Sequence, residues 1–115
     1  SNDLALARAS EAVALAGEAR ATLGLEREKA RLLLEHAERK LVLARRLLAI
    51  AEDALRQADD RAKLGDGELE PLRDAQLQRE SAEFELLAVR VERLRALLVL
   101  RSSSAGVAVP ARRPR

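Results

Sequence analysis

The sequence predicts an all-α protein: a long antiparallel helical hairpin of the coiled-coil type that associates with further helices. Three observations carry this expectation. Ala30, Leu34, Ala37, Leu41, Ala44, Leu48, Ala51, Leu55, Ala58 and Ala62 form a small-large ladder at strict 4-3 spacing, and an apolar residue every 3.5 positions marks a helix whose seam must face another helix along its length. The ladder runs out at Leu64-Gly65-Asp66-Gly67, where glycines let the chain reverse. Composition agrees: of 115 residues 35% are charged and 48% hydrophobic, but only 1% are aromatic, Phe84 alone. Ala, Leu, Glu and Arg favour helix, while the aromatic and β-branched residues of sheets and globular cores are scarce.

Along the chain, Ser1-Asn2 reads as a tag remnant or a cap, and the start without methionine suggests excision from a longer chain. Asn2 or Asp3 can cap a first arm over residues 3–63, since a short polar side chain accepts free amides of the first turn. Gly17 and Gly24 each cost about 1 kcal/mol against Ala in a helix interior, which makes Gly24 the natural place for a bend. Unbroken, this arm would reach roughly 90 Å.

The turn is expected at 64–67, with Gly65 left-handed at the helix end and Asp66 capping the returning helix. Pro71 falls in the first turn of that returning arm, 68–101, where its missing amide costs no hydrogen bond. The arm carries Leu77, Phe84, Leu87, Val91, Leu94 and Leu98 at near-heptad spacing and a second stripe at Ala82, Leu86, Val89 and Leu100. The first arm also has a second stripe, at Leu33, Leu43, Leu47 and Ile50. A helix in a simple pair needs one apolar stripe; two stripes suit a helix with neighbours on both flanks. From Arg101-Ser102-Ser103-Ser104 the helix is expected to end, with 102–115 a disordered tail containing Pro110 and Pro114. The first arm outruns the second by about 27 residues, and the excess is expected to fold back near Gly24 or to pair with another copy.

Charge and residue types narrow the function. The net charge is +2 and the pI near 9.6. Arg and Glu are interleaved, as in Glu26-Arg27-Glu28-Lys29, rather than gathered on one basic face, which argues against a nucleic-acid partner. Pairs such as Glu35-Arg39 and Glu52-Arg56 instead suit solvated helix faces. There is no cysteine for a disulfide or a thiolate metal site. No run of 18 apolar residues is present, so this segment is not expected to insert into a membrane by itself.

His36 is the sole histidine and has no second histidine or cysteine to join it, so no metal site is expected. Asp59-Asp60 and Glu68 with Glu70 lack the concave, desolvated setting that acid–base catalysis requires. Gly65-Asp66-Gly67 lacks the strand and third glycine of a phosphate loop. The chain therefore reads as non-enzymatic and without a cofactor. One stretch remains as a candidate partner-binding site: the hairpin tip Lys63, Leu64, Gly65, Asp66, Gly67, Glu68 and Leu69.

Several segments taken together, Ala51-Glu52-Asp53-Ala54-Leu55-Arg56-Gln57-Ala58, Arg61-Ala62-Lys63-Leu64-Gly65 and Asp74-Ala75-Gln76, resemble the C-terminal periplasmic helical hairpin of the outer-membrane factor family, the TolC-like efflux ducts, nearest the heavy-metal and cation efflux branch. The interval from Gly65 to Ala75 and the closing Ala105-Gly106-Val107-Ala108-Val109-Pro110 are similar to that family's pattern. The sequence departs from it at Ala62, where an aromatic is usual, and at Glu68, Pro71 and Arg73. The resemblance implies a periplasmic part of an outer-membrane protein, a trimeric helical duct whose hairpin tips dock a periplasmic adaptor working with an inner-membrane pump. Periplasmic adaptors have similar hairpins, so a structural or adaptor coiled coil acting only by oligomerisation is the alternative.

Overall fold

The structure, a computed structural model, describes residues 2–65 and 68–108, with side chains to Ser104. It is a helical hairpin: α1, Asn2–Lys63, a turn, and α2, Leu69–Ala108, with no strand among the described residues. The molecule measures 95 × 32 × 16 Å, with a radius of gyration of 26.2 Å, about twice the 13 Å of a compact chain this long. Its exposed surface of 9553 Å² likewise exceeds the roughly 6200 Å² of a compact 12.6 kDa monomer.

The 4-3 ladder of α1 is the seam of the hairpin. Every one of its ten residues is buried or half-buried, while their immediate neighbours are largely exposed. On α2 the facing residues are Leu72, Ala75, Arg79, Ala82, Leu86, Val89, Arg93, Ala96, Leu100 and Ser103, again at alternating spacings of 3 and 4. Two ion pairs across the seam, Lys40 Nζ to Glu92 Oε1 at 3.1 Å and Arg93 Nε to Glu38 Oε2 at 3.8 Å, fix the antiparallel register. Leu41 and Ala44 cluster there with Leu86 and Val89, and Leu48 packs against them.

This register sets the larger residue of one helix level with the smaller residue of the other. Leu34, Leu41, Leu48 and Leu55 oppose Ala96, Val89, Ala82 and Ala75, while Ala30, Ala44 and Ala58 oppose Leu100, Leu86 and Leu72. Opposite Ala37 and Ala51 stand Arg93 and Arg79, whose aliphatic stems cover the alanines while their guanidiniums reach Glu38 and Glu83. The nine buried residues are accordingly six alanines, two leucines and one valine. Ala at alternate positions allows the backbones to approach closely, and Leu fills the space beside each.

The turn is built as expected at its described residues. Gly65 has φ 77°, its N–H donates to the Ala62 carbonyl at 3.1 Å, and the Leu64 N–H donates to the Asp60 carbonyl at 3.1 Å. These bonds satisfy carbonyls of the last turn that have no helical partner. The expected Asp66 cap lies outside the described residues, as does Gly67. Pro71 is the third residue of α2.

Four expectations are corrected. The helix begins with Asn2, so Asn2 and Asp3 lie within its first turn; Asp3 complements the positive end of the helix. No fold-back occurs at Gly24: α1 runs unbroken for 62 residues, and its expected length of about 93 Å matches the long dimension of the molecule. The returning helix does not stop at Arg101 but continues to Ala108. Ser103 is half-buried there and keeps the seam rhythm after Ala96 and Leu100, so packing holds three consecutive serines in helix. The remainder of the expected tail, 109–115, lies outside the described residues. Finally, Glu52 does not pair with Arg56; the Arg56 guanidinium bonds Asp53 instead, whereas Glu35 and Arg39 do pair at 3.8 Å. Both are exposed pairs of small energetic weight.

Two substitutions test this account. Ala44→Leu should destabilise the hairpin by about 1–3 kcal/mol because the site opposite Leu86 has no room for the added carbons, whereas Ala49→Leu on the exposed face should be near neutral in urea unfolding followed by circular dichroism. Gly65→Ala should cost about 1–2 kcal/mol; a Cβ there would meet nothing within 4 Å, so the loss arises from the left-handed backbone alone.

Candidate functional site

The described part of the tip presents an exposed, chemically mixed surface. Leu64 and Leu69 flank the turn at 75% and 71% exposure, too high for core residues. Lys63 and Glu68 are also exposed, Gly65 shapes the reversal, and Asp66 and Gly67 lie outside the described residues. Helix geometry explains why the leucines project: Ala62 is the last seam residue of α1 and Leu72 the first of α2, so residues between them lie past the zone where the helices touch.

Lys63 is held by its own helix. Its Nζ lies 3.1 Å from Asp59 Oδ2. The hydrogen bond to Asp59, then the charge of that carboxylate with a lesser contribution from Asp60, raises the lysine above its ordinary 10.5. The cation also sits at the negative end of α1, where it complements the helix dipole. The tip therefore carries a lysine already paired with a carboxylate beside two exposed leucines.

Asp74-Ala75-Gln76 divides in role. Ala75 is buried in the seam level with Leu55, while Asp74 and Gln76 are exposed. Gln76 lines a shallow groove with Glu52, Leu55, Arg56, Asp59, Leu72 and Arg79. The alanine of this triplet is thus explained by close helix approach alone.

On each helix the stripe left outside the seam, its second stripe from here on, is the larger surface. On α2, Leu77, Phe84, Leu87, Val91, Leu94 and Leu98 are all exposed, between 40% and 76%, on the side turned away from α1. Ala82, Leu86, Val89 and Leu100 form the seam instead. On α1, Leu33, Leu43, Leu47 and Ile50 are 49–64% exposed. Leu47 and Ile50 line an open groove between the helices with Ala44, Ala51, Ala54, Ala75, Gln78, Ser81, Ala82 and Glu85. Exposed apolar surface gathered on one face is a general mark of interaction sites.

His36 lies in a groove with Leu33, Lys40, Glu92, Arg95, Ala96 and Val99. Its polar neighbours there are two cations and one carboxylate, a set unsuited to holding a metal. Among the described residues no group of three or more His, Cys, Asp or Glu is placed to bind one, and no helix is long and apolar enough to cross a membrane.

The Lys63 pair makes a pH-dependent contribution. Because folding raises the lysine, its stabilisation is complete below pH 10.5 and is lost as pH rises through the folded value. Asp59→Asn should bring the Lys63 titration down toward its ordinary value, read by NMR of the side-chain nitrogen. Compared with known proteins, the chain matches no family model, no curated protein and no solved structure.

Proposed function

We propose that the chain is a non-catalytic stave: a segment of an outer-membrane efflux factor that forms part of the periplasmic helical conduit of a tripartite efflux system and docks an adaptor protein at its hairpin tip, Lys63 to Leu69. The observation that carries the proposal is the pair of second stripes, one on each helix and both left uncovered when the hairpin closes. A wall of helices requires each member to bury two flanks, and these stripes supply the second flank. At the tip, Leu64 and Leu69 give an adaptor an apolar foothold free of any role in the hairpin seam. The sequence resemblance around Gly65 and Asp74-Ala75-Gln76 gives this wall its efflux setting, with an inner-membrane pump as the energy source. The chain itself performs no chemistry in this reading and takes no cofactor.

The test is made in the parent protein, in a bacterial host lacking its own duct. Leu64→Asp combined with Leu69→Asp should leave the amount of protein in the outer membrane unchanged, weaken binding of the cognate adaptor by about 30-fold or more, as loss of central apolar anchors does, and abolish efflux-dependent tolerance of the exported compound. Unchanged adaptor binding and tolerance would refute tip docking. Self-association of the parent with no associated pump or adaptor would favour the plain oligomeric coiled coil.

A further inference from the structure

The hairpin leaves the first third of α1 without a partner. In the register set by the cross-helix ion pairs, the end of α2 at Ala108 falls level with roughly residue 23 of α1. Every described residue from Asn2 to Glu26 is exposed. Arg27, on the seam line level with Ser103, marks the boundary, and its Nε is buried without a hydrogen-bond partner.

The seam nevertheless continues. Counting back from Ala30 in the same rhythm gives Arg27, Leu23, Arg20, Ala16, Val13, Ala9 and Leu6. Beyond the two arginines, Leu6, Ala9, Val13 and Ala16 repeat the large-small alternation of Leu41, Ala44, Leu48 and Ala51 in phase with it. The positions flanking this stretch are Ala5, Ser10, Ala12, Gly17 and Ala19, whereas along the hairpin the corresponding places hold charged residues such as Arg31, Glu38, Lys40, Arg45 and Glu52. Arg8, Glu11 and Glu18 all lie on the opposite face of the arm. Such a face admits another backbone at close range, with neither charge nor bulk at its edges.

We propose that this face, residues 4–20, pairs with the same face of a second copy, antiparallel, about a two-fold axis near Glu11. Three observations select that occupant. The face lies on the same helical line as the established α1·α2 seam and in phase with it, resuming past Arg27, Leu23 and Arg20, and in that seam both helices carry large residues at one position and small ones at the other. Antiparallel pairing of two identical arms reproduces that fit: Leu6 comes level with Ala16 of the second copy and Val13 with its Ala9. Parallel pairing would set Val13 against Val13 and leave the alanines facing each other across a gap. The outer stripe of α2 is the other apolar surface on offer, but Phe84, Leu87, Val91, Leu94 and Leu98 are large throughout and would hold the arm too far away for Ala9 and Ala16 to make contact. The association involves the seam face of the arm, not the second stripes; because its two copies run in opposite directions it is an arrangement outside the duct, and its failure leaves the efflux reading untouched.

The absence of cysteine from the chain makes the test direct. In the full chain, Ala12→Cys and Ser10→Cys each place a thiol beside the two-fold axis and should give a disulfide-linked dimer on mild oxidation, while Ala14→Cys on the outer side of the arm and Phe84→Cys on α2 should remain largely uncrosslinked. Without any cysteine, sedimentation equilibrium should report a dimer that Val13→Glu converts to monomer with helical content retained. Equal crosslinking at all four positions, a monomeric parent chain, or a dimer that survives Val13→Glu and is dissociated by Leu87→Glu instead would each overturn the proposal.

Discussion

Close approach of two helix backbones along a seam of alternating small and large residues is the constraint on which the rest of this molecule depends. With almost no aromatic residue available, the chain cannot build a thick core, and none of its buried side chains is larger than leucine. What it can do is bring the helices near enough for alanine to make contact and for leucine to fill the neighbouring hole. That geometry requires a fixed register, because a slip of one seam position would set leucine against leucine, as at Leu48 and Leu86. The two ion pairs, Lys40 with Glu92 and Glu38 with Arg93, lie on opposite flanks of the seam and favour the same register. Being half exposed, they add specificity more than stability.

A thin seam leaves much surface uncovered. The excess over a compact monomer is thousands of Å², and the second stripes leave leucine, valine, isoleucine and phenylalanine exposed in it. Isolated helix pairs of this kind are marginal in water, which is the thermodynamic ground for the proposed pairing with further helices. The three apolar surfaces differ in kind. The second stripes are built from large residues and suit neighbours at ordinary spacing, whereas the amino-terminal arm is built from small ones and suits a neighbour drawn in close. One chain can therefore present different partners with different distances without either competing for the other's surface.

Much of this is legible in the residues. The 4-3 ladder names ten seam residues of α1, leaving out only Arg27 at its end, and Gly65 and Pro71 place the turn and the start of the returning helix, because seam periodicity and backbone restrictions are local properties. The returning helix is harder. It bears two stripes of equal regularity, and periodicity alone does not say which faces α1; complementarity decides, since only Ala75, Ala82 and Ala96 offer small partners for the leucines of the ladder. The helix end is misread for a related reason: three consecutive serines weaken a helix locally, but tertiary packing of Ser103 outweighs that preference. Gly24 suggests a break, yet a single glycine costs only about 1 kcal/mol in a long helix, too little to interrupt it. At the candidate site, the residues alone mark the tip by exclusion, and the exposure of Leu64 and Leu69 gives it a surface.

The position of the turn also sets a direction for assembly of the hairpin. Ala58 and Leu72 are fourteen residues apart along the chain and meet near the tip, while Ala30 and Leu100 are seventy apart and meet toward the far end. Each successive pair of seam residues adds only a small loop once the previous pair has closed, so the helices join most readily from Gly65 outward in the manner of a zipper. Opening takes the reverse path, beginning where Ser103 lies over Arg27 and reaching Leu72 last. The molecule is thus graded along its length: its firmest end is the turn at Gly65, and its loosest is the end where α1 runs on beyond α2.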